Sequence, residues 1–271
     1  MMLGGFDGLH FGHKKLLSVA KSFSLPVGIM TITGGKAEEN IFTVEERRQI
    51  FSKADIDFVL ELPFAEIKDL TPDAFSTMLV KEFASKRFVC GEDFRFGKMA
   101  GGTPETLKQA THVPVEVVDL EKIDGEKVST YTIKQALRVG DIAKANRLLD
   151  SHFFIMGEVI EDRKVGRSLG FPTANIVYPD NKFSIQQGVY ETQVVIDGKA
   201  YKGITNYGAR PTFDNRRVIT ETYLHGFDGD LYGQILTVEL VRYLRPIEKF
   251  DSVETLVKQL QTDIRRITEN D

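Results

Sequence analysis

The chain has 271 residues, 42% hydrophobic, 27% charged and 10% aromatic, which is globular composition and excludes a largely disordered chain; the length predicts two domains. The net charge is −4. Residues 1–150 carry 20 basic and 22 acidic side chains and residues 151–271 carry 15 and 17, so neither part has the cationic excess that docks nucleic acid. The lone Cys90 excludes an internal disulfide, no apolar run matches a membrane span, and glycine and charge come too early for a signal peptide, so a soluble cytoplasmic protein with no membrane partner is expected.

Short apolar runs alternate with helical patterns through residue 150. After a very short strand at Met1–Leu3, Leu16, Leu17, Ala20 and Phe23 lie on one helical face. Pro26–Thr33 reads as a strand, and Thr43 with Glu46 forms a capping box for a helix to Ala54. Asp57–Leu62 is a further apolar run. Thr71-Pro72 caps a helix over Asp73–Ala84, because proline at the first helical position loses no needed N–H. Phe88–Cys90 and Val113–Leu120 read as strands, with a helix from Thr103-Pro104 between them. Helices follow at about 132–139 and 141–149. Such alternation implies βαβ units and a parallel sheet covered on both faces.

From 151 the runs are β-branched and aromatic: Gly188–Ile196, Ala200–Thr205, Val218–His225 and Ile235–Tyr243. Asp197-Gly198 predicts a tight hairpin, and Asp228-Gly229 is a second candidate. Val253, Leu256, Val257, Leu260, Ile264 and Ile267 form a helical stripe in the tail. The expected domains are therefore residues 1–150, α/β, and residues 151–271, an antiparallel sheet closed into a barrel with a terminal helix.

Two segments carry chemistry. In the first, a strand runs into Gly4-Gly5-Phe6-Asp7-Gly8-Leu9-His10-Phe11-Gly12-His13 and then a helix. Glycines at such a turn let backbone approach a ligand closely, and a helix start offers free N–H groups to phosphate. Two imidazoles can donate to phosphate oxygens as charge moves. In the second, Gly166-Arg167-Ser168-Leu169-Gly170-Phe171-Pro172 precedes Thr173-Ala174-Asn175. In extended backbone Thr173 and Asn175 point the same way, and both offer oxygen to Mg²⁺.

His10-Phe11-Gly12-His13 resembles the HxGH signature of nucleotidyltransferases, which have a Rossmann-like fold. The wider Gly5–His13 stretch, with Gly91-Glu92-Asp93-Phe94-Arg95-Phe96-Gly97, is similar to the N-terminal module of bacterial riboflavin kinase/FAD synthetases. Gly166–Asn175 resembles the glycine loop of riboflavin kinases. Asn206–Thr212, Glu221-Thr222-Tyr223, Asp230–Gly233 and Leu244–Phe250 follow in that family's order. The resemblance implies two reactions. The barrel phosphorylates riboflavin with ATP to FMN, with Glu221 as base, Thr173 and Asn175 on Mg²⁺, Gly166, Arg167 and Gly170 over the nucleotide, and Asn206 and Arg245 on the flavin side. The α/β domain adenylylates FMN with ATP to FAD, with His10 and His13 catalytic. There Gly5, Asp7, Gly8, Gly12, Asp93, Arg95, Gly97, Ser129, Thr130 and Lys134 hold nucleotide.

The chain departs from the family pattern at several points. Val128-Ser129-Thr130-Tyr131-Thr132-Ile133-Lys134 stands where the family has Ser-Ser-Thr-x-x-Arg, so Tyr131 replaces a hydroxyl and Lys134 a guanidinium fork. Ile32-Thr33-Gly34-Gly35 replaces a Phe-x-Pro-His-Pro stretch, and Gly5 an asparagine. A kinase whose first domain is only a degenerate nucleotide binder, and a flavin or nucleotide sensor without catalysis, are the alternatives. The oligomeric state is not legible.

Overall fold

The computed structural model describes residues 1–34, 39–119, 122–161, 170–209 and 218–269. The chain divides into two compact units, Met1–Thr132 and Ile133–Asp271.

The first unit is built on five parallel strands: β1 (Met2–Leu3), β2 (Gly28–Thr33), β3 (Phe58–Pro63), β4 (Phe88–Gly91) and β5 (Val115–Val118), in the order β3-β2-β1-β4-β5. Met2 stands in register with Ile29 and Val89, and Leu3 with Met30 and Cys90. Successive residues of a strand face opposite sides. Accordingly the Met2 row enters one core with Leu16, Leu17 and Ala20, and the Leu3 row enters another with Phe75, Leu79 and Leu107. The helices supplying these side chains are α1 (Phe11–Lys21), α4 (Pro72–Lys81) and α5 (Pro104–Thr111). Truncating a fully buried leucine such as Leu107 to alanine is expected to cost about 2–5 kcal/mol. Cys90 lies in the same core, where burial pushes its thiol up to about 11.

The expected caps are present. In α2 (Val44–Lys53) the Thr43 N–H donates to Glu46 Oε2 at 2.8 Å, and Glu46 N–H donates to Thr43 Oγ1 at 3.2 Å. Thr71 caps α4 ahead of Pro72, and Thr103 with Thr106 caps α5. Several ends differ from expectation. α4 stops at Lys81, and Ala84 has already turned left-handed at φ +48°. β2 begins at Gly28 rather than Pro26, and β5 covers Val115–Val118 only. A short helix α3 (Phe64–Ile67) and a hairpin of β6 (Lys122–Ile123) and β7 (Glu126–Lys127) were not expected. The hairpin turn is Asp124-Gly125, both at positive φ, the same two-residue signal as Asp197-Gly198.

The units divide inside α6 (Thr130–Arg138). α7 (Ile142–Leu149) belongs with the barrel, because its Asn146 Nδ2 donates to the Leu240 carbonyl at 2.9 Å and its Oδ1 accepts from Phe153 N–H at 2.7 Å. The change of sequence pattern at residue 150 marks the start of strands; the contacts divide the chain earlier, at Thr132/Ile133.

Six antiparallel strands close the barrel: β8 (Phe153–Ile160), β9 (Thr173–Val177), β10 (Gly188–Ile196), β11 (Lys199–Ala209), β12 (Val218–Leu224) and β13 (Ile235–Arg245). Closure removes sheet edges that would otherwise pair with other chains. The Asp197-Gly198 hairpin forms as expected, with both residues at positive φ. Asp228-Gly229 does not make a tight turn; it lies within the longer connection 225–234, where Gly226 and Gly233 take the positive φ values instead. Thr205 Oγ1 meets Thr192 Oγ1 at 3.0 Å and Thr222 Oγ1 at 2.8 Å, so buried hydroxyls satisfy one another. The terminal helix α8 (Val253–Thr268) packs Ile264 and Ile267 against Val189, Ile204 and Leu244.

Candidate active sites

In an open parallel sheet, ligands bind beyond the carboxyl ends of the strands where the strand order reverses. Here that point lies between β1 and β4. Leu3 leads into the glycine turn and Gly91 into Glu92-Asp93, so topology joins two segments far apart in sequence. The cleft they share has a volume of about 470 Å³ and is lined by Gly5, His10, Gly12, His13, Asp93 and Arg95, with Ser129, Thr130 and Tyr131 from the start of α6. Gly5 is exposed, and a Cβ built on it would meet nothing within 4 Å, so the room beside it is left for a ligand.

His10 and His13 stack, with centroids 3.5 Å apart and planes at 16°. His10 Nδ1 accepts the His13 backbone N–H at 3.3 Å and thereby caps α1. His13 Nδ1 lies 2.8 Å from the Gly8 carbonyl, an acceptor only, so Nδ1 carries the proton. These partners assign opposite tautomers: His10 presents Nε2–H and His13 a bare Nε2. Burial first, and then His13 beside it, lower His10 to about 2, and burial lowers His13 to about 4, so both rings are neutral at pH 7.

Other residues support the cleft. Lys127 Nζ sits 2.8 Å from Asp93 Oδ2. Sequence reading did not single out Lys127; its signal is the Asp124-Gly125 hairpin that delivers it. Arg95 Nη1 donates to the Phe94 carbonyl at 2.8 Å, and Ser129 Oγ caps α6 by accepting the Thr132 N–H at 3.2 Å. Asp7, Gly8 and Gly97 do not line the cleft. Asp7 accepts from Ile41 N–H at 2.8 Å, a Cβ on Gly8 would lie 2.8 Å from Phe42, and one on Gly97 would lie 2.9 Å from the Pro72 backbone. Lys134 belongs to the second unit, with its ammonium 5.4 Å from the Phe183 ring centroid.

In the barrel, register assembles the site. Asn175 on β9 stands opposite Glu221 on β12, and Glu221 opposite Asn206 on β11. The same row continues through Val189 on β10 to Arg245 on β13. Directly opposed residues share a face, so an amide, a carboxylate and a second amide lie side by side. Thr173, two residues from Asn175, lies on that face too. Thr173 and Asn175 also line a cavity of about 180 Å³ with Pro172, Thr222, Phe227 and Asp230.

Among the described residues the buried Oδ1 atoms of Asn175 and Asn206 have no hydrogen-bond partner. An unmatched buried oxygen beside a threonine fits a hard cation that also takes phosphate oxygens. Among the described residues no cluster of three or more His, Cys, Asp or Glu could hold a metal. Arg245 is engaged by α8: its Nη2 lies 2.8 Å and its Nε 3.0 Å from Asp263 Oδ2, with Asp263 fully buried. Gly170 has φ +83°, which favours glycine. Gly166, Arg167 and the 210–212 part of the Asn206 motif lie outside the described residues. Tyr190 is fully buried in the barrel against Tyr243.

A phosphate cradle at an α/β switch point, followed by a barrel carrying a carboxylate between two amides, defines a two-site group-transfer enzyme. Residues 1–132 match the FAD synthetase family and residues 149–270 the riboflavin kinase family. The bifunctional riboflavin kinase/FMN adenylyltransferase of Escherichia coli (strain K12) is 30% identical over 281 residues, covering 97% of this chain and 90% of that protein. The trifunctional protein RibF/MnmA of Mycoplasmoides gallisepticum is 30% identical over 265 residues; the match takes in 97% of this chain but only 38% of that protein. A crystal structure described as a macrolide-efflux protein from Streptococcus pneumoniae superposes with a TM-score of 0.88 at 30% identity, covering 100% of this chain and 93% of that one. The chain belongs to the bifunctional riboflavin kinase/FMN adenylyltransferase family.

Proposed function

We propose that the barrel transfers the γ-phosphoryl group of ATP to the terminal ribityl hydroxyl of riboflavin, and that the α/β unit transfers the adenylyl group of a second ATP to the resulting FMN. The observation that carries the first step is the Asn175–Glu221–Asn206 row, which sets a carboxylate between two amides. Glu221 takes the hydroxyl proton as the ribityl oxygen bonds to the γ-phosphorus, and ADP leaves. Thr173 and Asn175 would hold Mg²⁺, which when bound would neutralise charge on the ATP phosphates. In the second step an FMN phosphate oxygen attacks the α-phosphorus of ATP and pyrophosphate leaves. The Nε2–H of His10 donates to a phosphate oxygen, and the N-termini of α1 and α6 add fixed positive potential. In this reading Asn206 and Arg245 serve the flavin, and Gly170 the nucleotide.

Two departures bear on the second step. Tyr131 is 72% exposed at the rim of the cleft, and Lys134 lies against Phe183. Both support a slower adenylyltransferase than the family pattern provides. We do not extend the efflux description of the Streptococcus pneumoniae structure to this chain. One cavity is lined by His10 and His13 and the other by Thr173 and Asn175, side chains suited to group transfer. The deciding experiment is chromatography of products from riboflavin, ATP and Mg²⁺, and separately from FMN, ATP and Mg²⁺. FMN in the first and FAD in the second are expected. FMN without FAD means a monofunctional kinase, and neither product means a binding protein.

A further inference from the structure

α2 carries a charge that neither proposed reaction uses. Arg47 follows the capping box and is 2% exposed. A guanidinium offers five donors and no acceptor, so removing it from water demands partners. Its Nη1 donates to Thr31 Oγ1 and to the Ile32 carbonyl, each at 3.0 Å. Among the described residues its Nε and Nη2 have no hydrogen-bond partner. Burial disfavours its charge, with Asp7 the strongest opposing influence. Packing alone does not account for a half-satisfied buried cation, because an apolar side chain of similar volume serves a core better.

Arg47 dictates where the Thr31 proton goes. The guanidinium only donates, so Thr31 Oγ1 accepts from it and must direct its one proton elsewhere. The acceptors within reach are the carbonyls of Gly5 at 3.3 Å and Phe6 at 3.4 Å. A trans peptide holds its C=O and N–H antiparallel. Holding these carbonyls therefore turns the N–H groups of Phe6 and Asp7 away from Thr31. Gly5 and Phe6 line the cleft, and Phe6 sits at φ +39°, a conformation that side chains rarely adopt unaided. We propose that Arg47 is a positioning residue for adenylyl transfer: through Thr31 it fixes the N–H group of Phe6, which lines the cleft, as a donor to the pyrophosphate portion of ATP. This inference rests on the adenylyltransferase reading of the cleft.

The test measures FAD formation, FMN formation, thermal melting and inorganic pyrophosphate binding by calorimetry in the natural chain and three variants. Thr31→Val is expected to lower kcat for FAD formation about tenfold and to weaken pyrophosphate binding several-fold, while KM for FMN and the rate of FMN formation hold. Thr31→Ser, which keeps the hydroxyl, should restore both to within about twofold. Arg47→Met should lose FAD formation while melting no lower than the natural chain, because it removes a half-satisfied charge. Natural kcat and pyrophosphate affinity in Thr31→Val, or equal impairment in Thr31→Ser, overturns the proposal. So does FAD formation lost only in step with a lower melting temperature. If the natural chain forms no FAD, the adenylyltransferase reading falls, and the pyrophosphate measurements then decide the role of Thr31 and Arg47 alone.

Discussion

The two sites solve phosphate chemistry with different parts of the protein. In the first unit the donors are mostly local: a glycine turn, a helix start and two histidines three positions apart, with Asp93 and Arg95 brought in by the sheet. In the barrel the donors are side chains on three strands, aligned by antiparallel register. The first arrangement depends on backbone and on neutral rings. The second, as proposed, depends on one carboxylate, Glu221. Single substitutions should therefore silence the barrel site more completely than the cleft, and each should leave the other reaction intact.

The largest effect is expected at Glu221. Glu221→Gln keeps the shape of the row and removes the base, so kcat for FMN formation should fall about 10²–10⁴-fold with riboflavin binding largely spared. FAD formation from supplied FMN should be unchanged. Turnover near the natural value would take Glu221 out of the reaction.

His13→Ala is the matching test in the cleft. It removes the imidazole stacked on His10 and the bond to Gly8, so FAD formation should fall about 10²-fold. Because backbone donors remain, nucleotide binding should persist. A loss as deep as that at Glu221 would show that the cleft, too, depends on one group. Asn175→Ala should act more narrowly, raising the Mg²⁺ concentration needed for half-maximal kinase rate, because the proposed metal ligand is removed. An unchanged Mg²⁺ requirement with ATP still bound would remove Asn175 from the metal site.

The departures at Tyr131 and Lys134 give a smaller effect. Tyr131→Thr with Lys134→Arg should raise FAD formation about tenfold and leave FMN formation alone, since a charge-assisted hydrogen bond contributes about 1.5–3 kcal/mol. Rates of both reactions in one preparation decide this. Fast FAD synthesis by the natural chain, unimproved by the double change, would show that the cleft has absorbed these substitutions.

Much of this was legible in the sequence, and the parts that were not have physical reasons. Alternation of strand and helix signals gave the parallel sheet, and paired apolar residues such as Met2 and Leu3 feed its two cores as period-two patterning requires. The His10–His13 motif is local, so its helix cap and its cleft follow from adjacent residues. Register is not local: nothing in the spacing of Asn175, Asn206 and Glu221 shows that they share a row until the strands are paired. Arg245 shows the same limit, because its partner Asp263 lies on a helix whose apolar stripe gives no sign of a buried carboxylate. Asp228-Gly229 failed as a hairpin because a turn dipeptide acts only where the flanking strands reach it.

The smallest effect is read in the stability of each unit rather than in either reaction rate. His10 and His13 are lowered by burial to about 2 and about 4, below the ordinary imidazole value of 6.5. His152, in the second unit, is raised, first by its hydrogen bond to Glu239, 3.1 Å away. The signs are opposite. Between pH 6.5 and about 4 the unfolded first unit binds protons that its folded form refuses at His13, so its stability falls as pH falls through that window. For His152 the folded form binds the proton more tightly, so its contribution is complete below 6.5 and is lost as pH rises through its raised value. Acidification from about pH 7.5 to about pH 5.5 should therefore loosen the first unit while firming the barrel. Hydrogen exchange, corrected for the intrinsic pH dependence of the amides, reads the two separately: peptides from α1 and β4 should lose protection and peptides from β8 and β13 should gain it. His13→Gln should reduce the first response, with His10 supplying the remainder, and His152→Gln should flatten the second. Parallel changes in both units would mean that other titrating groups outweigh these three rings.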